Sequence, residues 1–185
     1  TYNGFKIIHG RQVIAGETLQ QLIPIMRDGE FLTGRGSVET VNIVPQYIQH
    51  IVDNSRVTQS FKLVIDGANS VPGPIANQLF ERLGCLTFPL YCNIDGSFPN
   101  HPPNPADENN LVDLRHQVAE TQSDLGLAFD GDGDRVVVIS ARGRIVWPDQ
   151  LMMTFARDVL ARQPGADIVF DVKSSKRLAE LIRLH

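Results

Sequence analysis

Three aspartates separated by single glycines are the residues of this sequence best suited to chemistry. The segment Asp130-Gly131-Asp132-Gly133-Asp134-Arg135 directly follows the apolar run at residues 125–129, which predicts a buried strand. In extended backbone, alternate side chains project to the same side, so the three carboxylates can converge. Carboxylates this close repel one another unless a cation intervenes, and oxygen-only ligands favour magnesium, calcium or manganese over zinc. We therefore predict that Asp130, Asp132 and Asp134 bind a divalent metal.

Three alternatives remain for this acidic loop, residues 130–135. An EF-hand calcium loop is disfavoured, because its sixth position would be Arg135 rather than glycine and its twelfth Ala141 rather than glutamate. A phosphatase could use Asp130 as the nucleophile and Asp132 as the acid, although a third carboxylate suits metal chelation better. A solvated acidic turn would be the default for one aspartate, but it fits three aspartates with interleaved glycines poorly.

Arg135, at the end of the acidic loop, has two possible roles. An isolated arginine beside carboxylates is most often an ion-pair partner. Beside a metal site, its planar guanidinium group is also suited to a pair of phosphate oxygens. We predict that Arg135 takes part in the binding and the chemistry of a phosphorylated substrate.

The periodicity of apolar residues predicts helices that alternate with short strands. Helices are predicted over residues 15–29, 41–52, 75–83, 111–121, 149–162 and 174–184, and strands over residues 61–65, 86–91, 125–129, 136–140, 145–147 and 167–171. This alternation is typical of an α/β fold with a mixed, mostly parallel sheet layered with helices. Ligands gather beyond the carboxyl ends of parallel strands, where we predict Asp66, Asp130 and Asp171.

The composition excludes several classes of protein. A hydrophobic fraction of 42% and a charged fraction of 21% are those of a folded globular protein, and a net charge of −4 disfavours a dedicated nucleic-acid binder. No apolar run approaches the roughly 20 residues that a membrane span needs. Cys85 and Cys92 fit neither a disulfide framework nor a common zinc motif, so we expect free thiols in a reducing cytoplasm.

These features resemble the α-D-phosphohexomutase superfamily, and within it most closely the bacterial phosphomannomutase/phosphoglucomutase branch. The acidic loop is the specific feature. Weaker matches keep the order of the family at residues 2–6, 36–39, 64–66, 98–101 and 164–173. The sequence departs from the family pattern at Ala68-Asn69-Ser70, where Gly-Asn-Gly is common, and at Pro102 and Asn104, where the family often has His and Asp.

The resemblance implies a piece of a four-domain enzyme. Residues 1–41 would be the C-terminal tail of domain I, residues 42–145 domain II with the metal loop, and residues 146–185 the start of domain III. The enzyme would interconvert hexose 1-phosphate and hexose 6-phosphate, with mannose and/or glucose as the sugar, through a phosphoserine and a bisphosphorylated intermediate. The family's phosphoserine loop, sugar-recognition loop and phosphate-binding domain are not among these residues, so the piece alone is expected to be inactive.

The resemblance also assigns roles to individual residues. Asp130, Asp132 and Asp134 would bind magnesium, with Arg135 near the phosphoserine and the phosphosugar. Lys6 would assist proton transfer at the sugar hydroxyl, and Lys173 would contact the substrate, although either could be an ordinary surface lysine. His101 matches a histidine near a domain interface, where it could contact the ligand or, more simply, pack within its proline-rich loop, residues 95–107.

Further expectations concern cofactors and partners. Magnesium and a hexose 1,6-bisphosphate activator are implied, with a phosphorylated hexose as the partner, no nucleic acid, no membrane, a cytoplasmic location and a monomer favoured. A phosphatase with an aspartate nucleophile and a non-catalytic, metal-stabilised module are the alternatives to this function.

Overall fold

A computed structural model describes residues 5–29 and 31–185 of the chain, so the turn predicted near residues 2–4 lies outside the described residues. The chain divides into two units, residues 1–41 and residues 42–185, which are described separately below. Within the described residues, no helix is both long and apolar enough to cross a membrane.

The first unit contains a short hairpin followed by two short helices. Strands β1 (Ile8–His9) and β2 (Gln12–Val13) pair antiparallel, and helices α1 (Gly16–Gln20) and α2 (Leu22–Asp28) follow. The single helix predicted over residues 15–29 is therefore interrupted at Gln21. Pro24 explains the interruption, because it has no N–H to donate to the carbonyl of Gln20 and its ring crowds that carbonyl.

The second unit is built on a five-stranded mixed sheet. Its strands are β3 (Lys62–Asp66), β4 (Leu86–Leu90), β5 (Leu125–Phe129), β6 (Val136–Ser140) and β7 (Ile145–Val146). In the spatial order β4-β3-β5-β6-β7, the β4-β3 and β3-β5 pairs are parallel and the β5-β6 and β6-β7 pairs antiparallel. The α/β class and the mixed sheet are confirmed, with parallel pairing confined to one side of the sheet.

Helices cover both faces of this sheet. They are α3 (Val44–Asn54), α4 (Pro72–Arg82), α5 (Val112–Glu120, after a 3-10 turn at Glu108–Leu111), α6 (Pro148–Arg162) and α7 (Lys176–Leu184). Leu63, Val64 and Ile65 of the interior strand β3 are all buried, as expected for a strand with both faces covered. Val64 packs in the cluster that contains Leu114 of α5, and its two neighbours pack in the cluster that contains Ala76 of α4.

Residues 167–171 form no strand in the described range 31–185, so that prediction is wrong, as is the placement of Asp171 at the end of a strand. The segment is apolar enough for a strand, but a strand requires a hydrogen-bonding neighbour, and no described strand pairs with it. Val169 is 88% exposed, which agrees with an extended segment that lacks a packing partner.

Candidate active site

The acidic loop begins at the carboxyl end of β5, which is held between parallel β3 and antiparallel β6. Asp130 is 2% exposed, whereas Asp132 and Asp134 are exposed. The backbone N–H of Asp130 donates to the carbonyl of Arg135 at 3.2 Å, closing the loop on itself where β5 turns back into β6. The sheet therefore fixes the first carboxylate and presents the other two to solvent.

Arg135 holds Asp130 with two hydrogen bonds. Its backbone N–H donates to Oδ1 at 3.1 Å, and its Nε donates to Oδ2 at 2.8 Å. Burial alone would raise the pKa of Asp130, but these hydrogen bonds and the positive charge of Arg135 outweigh burial and hold that pKa below its ordinary value. Asp130 is thus kept ionised, with both oxygens in defined positions.

The three carboxylates lie close enough to share one cation. Each offers an oxygen, and these oxygens all lie within 4.8 Å of one another. The negative charge of Asp132 raises the pKa of Asp134 above its ordinary value, with smaller contributions from desolvation and from Asp130. A hard divalent cation would remove this repulsion, and an all-carboxylate donor set matches magnesium or calcium chemistry. The residues present therefore fit a metal site, and the role of all three as metal ligands stays a prediction.

Gly133 permits the shape of the acidic loop for two reasons. Its φ is +75°, in the left-handed region that favours glycine, and a Cβ atom there would lie 2.9 Å from Cγ of Pro72. Gly131 differs, since a Cβ there would meet Pro103 at an ordinary distance of 3.7 Å. Backbone geometry and packing therefore both require glycine at position 133, and packing does not require it at position 131.

A second loop, residues 66–70, follows the neighbouring parallel strand β3. Asp66 is 1% exposed, and its Oδ1 accepts from the backbone N–H of Ala68 at 2.9 Å. Ala68 and Asn69 have φ values of +45° and +56°, so the loop takes left-handed backbone without glycine at either position. The backbone N–H of Asn69 donates to the carbonyl of Tyr91 at 2.7 Å, which ties the loop to the end of β4.

His101 pairs with Asp66 across the base of the proline-rich loop. Its Nε2 lies 3.2 Å from Oδ2 of Asp66, its Nδ1 lies 2.9 Å from the carbonyl oxygen of Pro102, and its ring packs edge-on against Tyr91. Two acceptors facing the two ring nitrogens favour the doubly protonated imidazolium. The hydrogen bond to Asp66 raises the pKa of His101 above its ordinary value, against the lowering effect of burial. The structure thus places His101 as a packed residue of the loop.

Two residues that the sequence marked only as departures from the family pattern contact the acidic loop. The hydroxyl of Ser70 lies 2.6 Å from the carbonyl oxygen of Gly67 and 3.3 Å from that of Asp130, so its proton links the two strand-end loops. Oδ1 of Asn104 accepts from Nη1 of Arg135 at 3.4 Å. No motif marks either contact, because each joins residues more than 30 positions apart.

The remaining predicted site residues, Lys6 and Lys173, are exposed lysines outside the acidic loop. Lys6 is exposed in the first unit, two residues before β1. Lys173 is 85% exposed, and its Nζ lies 3.8 Å from Oδ2 of Asp171, in the turn that precedes α7. Their roles toward a substrate stay predictions. Arg135 is 56% exposed and keeps part of its guanidinium group open to solvent beside an apolar cavity of about 320 Å³ lined partly by Leu151 and Phe155.

The comparisons with known proteins agree with this geometry. The family model for phosphoglucomutase/phosphomannomutase, alpha/beta/alpha domain II, matches residues 45–143, which is more than half of the chain. The chain belongs to the phosphoglucomutase/phosphomannomutase family. The family resemblance predicted from the acidic loop is therefore confirmed.

Individual relatives of this family match nearly the whole chain. A phosphomannomutase/phosphoglucomutase of Pseudomonas aeruginosa is 50% identical over 181 residues, covering 98% of this chain and 39% of the relative. A phosphoglucomutase of Neisseria meningitidis is 42% identical over 186 residues, covering 100% of this chain and 40% of the relative. The crystal structure of a family protein from Burkholderia thailandensis has a TM-score of 0.85 at 44% identity, over 92% of this chain and 37% of that one. The chain thus spans about two fifths of the length of the relatives it matches.

Proposed function

We propose that the protein containing this chain is a magnesium-dependent phosphohexomutase, which interconverts hexose 1-phosphate and hexose 6-phosphate with mannose and/or glucose as the sugar. Family membership and the names of the relatives support a hexose phosphate mutase. The observation that carries the proposal is the set of three carboxylates within 4.8 Å at the carboxyl end of β5. This is the edge of an α/β sheet where ligands bind.

The proposed mechanism assigns each polar group of the acidic loop a task. Asp130, Asp132 and Asp134 would hold magnesium, which when bound withdraws negative charge from a phosphoryl group during in-line transfer. Arg135 keeps Asp130 ionised and oriented, and its solvent-facing nitrogens would bind a phosphate oxygen. Asn104 contacts the same guanidinium group without adding a negative charge, so the arginine keeps its attraction for an anion.

Other parts of the proposal come from the family resemblance. Lys6 would assist proton transfer at the sugar hydroxyl, and Lys173 would contact the phosphosugar. Residues 1–41, 42–145 and 146–185 would belong to domains I, II and III. The phosphoryl group would pass through a phosphoserine outside these residues, with hexose 1,6-bisphosphate as activator, in a monomeric cytoplasmic enzyme that binds neither nucleic acid nor membrane.

The test is a mutase assay of the full-length protein with magnesium and catalytic hexose 1,6-bisphosphate, comparing mannose 1-phosphate with glucose 1-phosphate. Asp132→Asn is expected to lower the turnover by about 100-fold or more, since it removes a metal ligand that stabilises charge in the transition state. Asp158→Asn is the matched control, because Asp158 is 65% exposed and, among residues 5–29 and 31–185, forms an ion pair only with Arg162 one helical turn away. Equal activity of the two variants would contradict the proposed role of the acidic loop.

A phosphatase with Asp130 as the nucleophile is the main alternative, and the geometry disfavours it. Both oxygens of Asp130 accept hydrogen bonds from Arg135, and the side chain is almost fully buried. These hydrogen bonds and the lowered pKa of Asp130 weaken its oxygens as nucleophiles, whereas each oxygen keeps a lone pair for a metal ion. Release of free phosphate, with phosphate trapped on aspartate, would nevertheless favour this alternative. Absence of turnover on both sugars would favour a non-catalytic metal-binding module.

A further inference from the structure

Three arginines line one open pocket on the second unit, beside the β6-β7 hairpin. This arginine pocket is formed by Arg115 of α5, Arg142 and Arg144 of the hairpin turn, with Glu108 and Trp147 also lining it. It has a volume of about 420 Å³, within the range of small-ligand sites. Such a concentration of positive charge is notable in a chain whose net charge is −4.

A hydrogen bond between Arg115 and the hairpin turn fixes the centre of the pocket. Nε of Arg115 donates to the carbonyl oxygen of Gly143 at 2.9 Å, which links helix α5 to the tip of the hairpin. Gly143 has a φ of +70°, so this tight turn places Arg142 and Arg144 on either side of the anchored residue. The Nη groups of Arg115 are not used by this hydrogen bond and remain as donors.

The three positive charges are not neutralised by neighbouring carboxylates. Among residues 5–29 and 31–185, every ion pair within 4.0 Å involves other side chains. Glu108 lines the pocket but forms no ion pair with any of the three arginines in that described part of the chain. The pocket therefore carries a net positive charge, and guanidinium groups bind the oxygens of phosphate in pairs.

We propose that the arginine pocket binds the phosphate group of a small phosphorylated ligand. The hairpin turn lies at the end of β6 remote from the acidic loop, about 14 Å along a five-residue strand. The proposal therefore goes beyond the proposed mutase activity and requires neither a metal at the acidic loop nor turnover. The indole of Trp147 offers a flat, partly apolar surface beside the charged groups, suited to the non-phosphate part of the ligand.

Trp147 makes the pocket directly measurable, because it is the single tryptophan of the chain. The experiment titrates this chain with inorganic phosphate and with glucose 6-phosphate, at constant ionic strength because exposed charges are screened by salt. A saturable change in tryptophan fluorescence is expected with either probe. Tighter binding of glucose 6-phosphate would identify a sugar phosphate as the source of the phosphate group, and equal binding would identify free phosphate.

Variants that each remove one charge distinguish a specific phosphate-binding site from general attraction of anions. Arg142→Gln and Arg144→Gln are each expected to weaken binding by about three- to tenfold, as expected for a partly exposed charge-assisted contact. Arg157→Gln removes the same charge from α6, about 15 Å from Trp147 along the helix, and should leave binding unchanged. Glu108→Gln should strengthen binding, because it removes the negative charge of the pocket.

The proposal is distinguishable from the proposed function by one further variant. Asp132→Asn and removal of divalent metal with a chelator should leave the fluorescence titration unchanged, although both would abolish the mutase reaction. A change that does not saturate, or that is weakened equally by Arg142→Gln and Arg157→Gln, would overturn the arginine pocket as a binding site. A failure of the mutase assay would leave it intact.

Discussion

The two loops that follow the parallel strands β3 and β5 start alike and differ in what comes next. Each begins with a nearly buried aspartate, Asp66 or Asp130, whose two carboxylate oxygens both have partners within the protein. In the β3 loop, the following polar groups bond to backbone and to the proline-rich loop. In the acidic loop, two further carboxylates are exposed, and the negative charge of Asp132 raises the pKa of Asp134.

This difference separates a structural loop from a loop suited to holding a cation. In the β3 loop Asp66 pairs with His101 within the fold, at 3.2 Å. In the acidic loop Arg135 compensates Asp130 at 2.8 Å but lies 3.8 Å from Asp134, leaving an excess of negative charge. Uncompensated carboxylates whose oxygens lie within 4.8 Å of one another are what a divalent cation requires.

The largest effect on stability is expected when the charge of Asp66 is removed. Asp66→Asn keeps the shape and one acceptor oxygen for the N–H of Ala68, but it replaces the oxygen that faces His101 with an NH2 donor, and we expect a loss of about 2–3 kcal/mol in the free energy of unfolding. Urea denaturation of the chain measures it. Asp132→Asn is the matched comparison, since it removes an exposed charge from a repelling group and should not destabilise the metal-free chain. Equal losses in the two variants would remove the distinction between the loops.

A smaller effect is expected from the glycines of the acidic loop. Gly133→Ala combines left-handed backbone with a contact at 2.9 Å from Pro72, and we expect magnesium affinity to fall by about tenfold or more, from displacement of the flanking carboxylates. Gly131→Ala is the control and should change affinity by less than about threefold, because its methyl group meets Pro103 at 3.7 Å. Calorimetric titration of magnesium measures both. Similar affinities for the two variants would contradict the importance of Gly133.

The sequence predicted correctly those features whose structure depends on residues close together in the chain. Strand β5 was predicted with its observed bounds, and the carboxylates that follow it converge, because a buried apolar run and alternating glycines act within a few residues. The Asp66–His101 pair joins residues 35 positions apart through a loop without periodicity, so no local pattern marks it. The strand predicted at residues 167–171 is absent because an apolar pattern alone does not form a strand. A strand also needs a hydrogen-bonding neighbour, which the local sequence does not reveal.

The dependence of stability on pH should come partly from the β3 loop. The pKa of His101 is raised in the folded chain, so its contribution is fully present below the ordinary value of 6.5 and is lost as the pH rises through the folded pKa. We expect the free energy of unfolding to fall by about 0.5–1 kcal/mol above pH 6.5, a modest amount because burial of the imidazole opposes the effect of the hydrogen bond to Asp66. His101→Gln should flatten this part of the curve, while His116→Gln, at a 78% exposed side chain, should not. An unchanged slope in His101→Gln would show that another group titrates.

The smallest effect is expected at Ala68, where the β3 loop uses left-handed backbone without glycine. Ala68→Gly relieves a strain of about 1 kcal/mol but loses a buried methyl group worth about 0.8 kcal/mol, so we expect a net change within about 0.5 kcal/mol. Gln122→Gly tests the relief of strain alone. Gln122 has a φ of +50° just after α5, but it is exposed, so its replacement loses no buried methyl group. It should therefore gain stability, by about 0.5–1 kcal/mol. Urea denaturation compares the two variants. Magnesium affinity should be unchanged by Ala68→Gly, and a change would mean that the β3 loop shapes the acidic loop through Ser70.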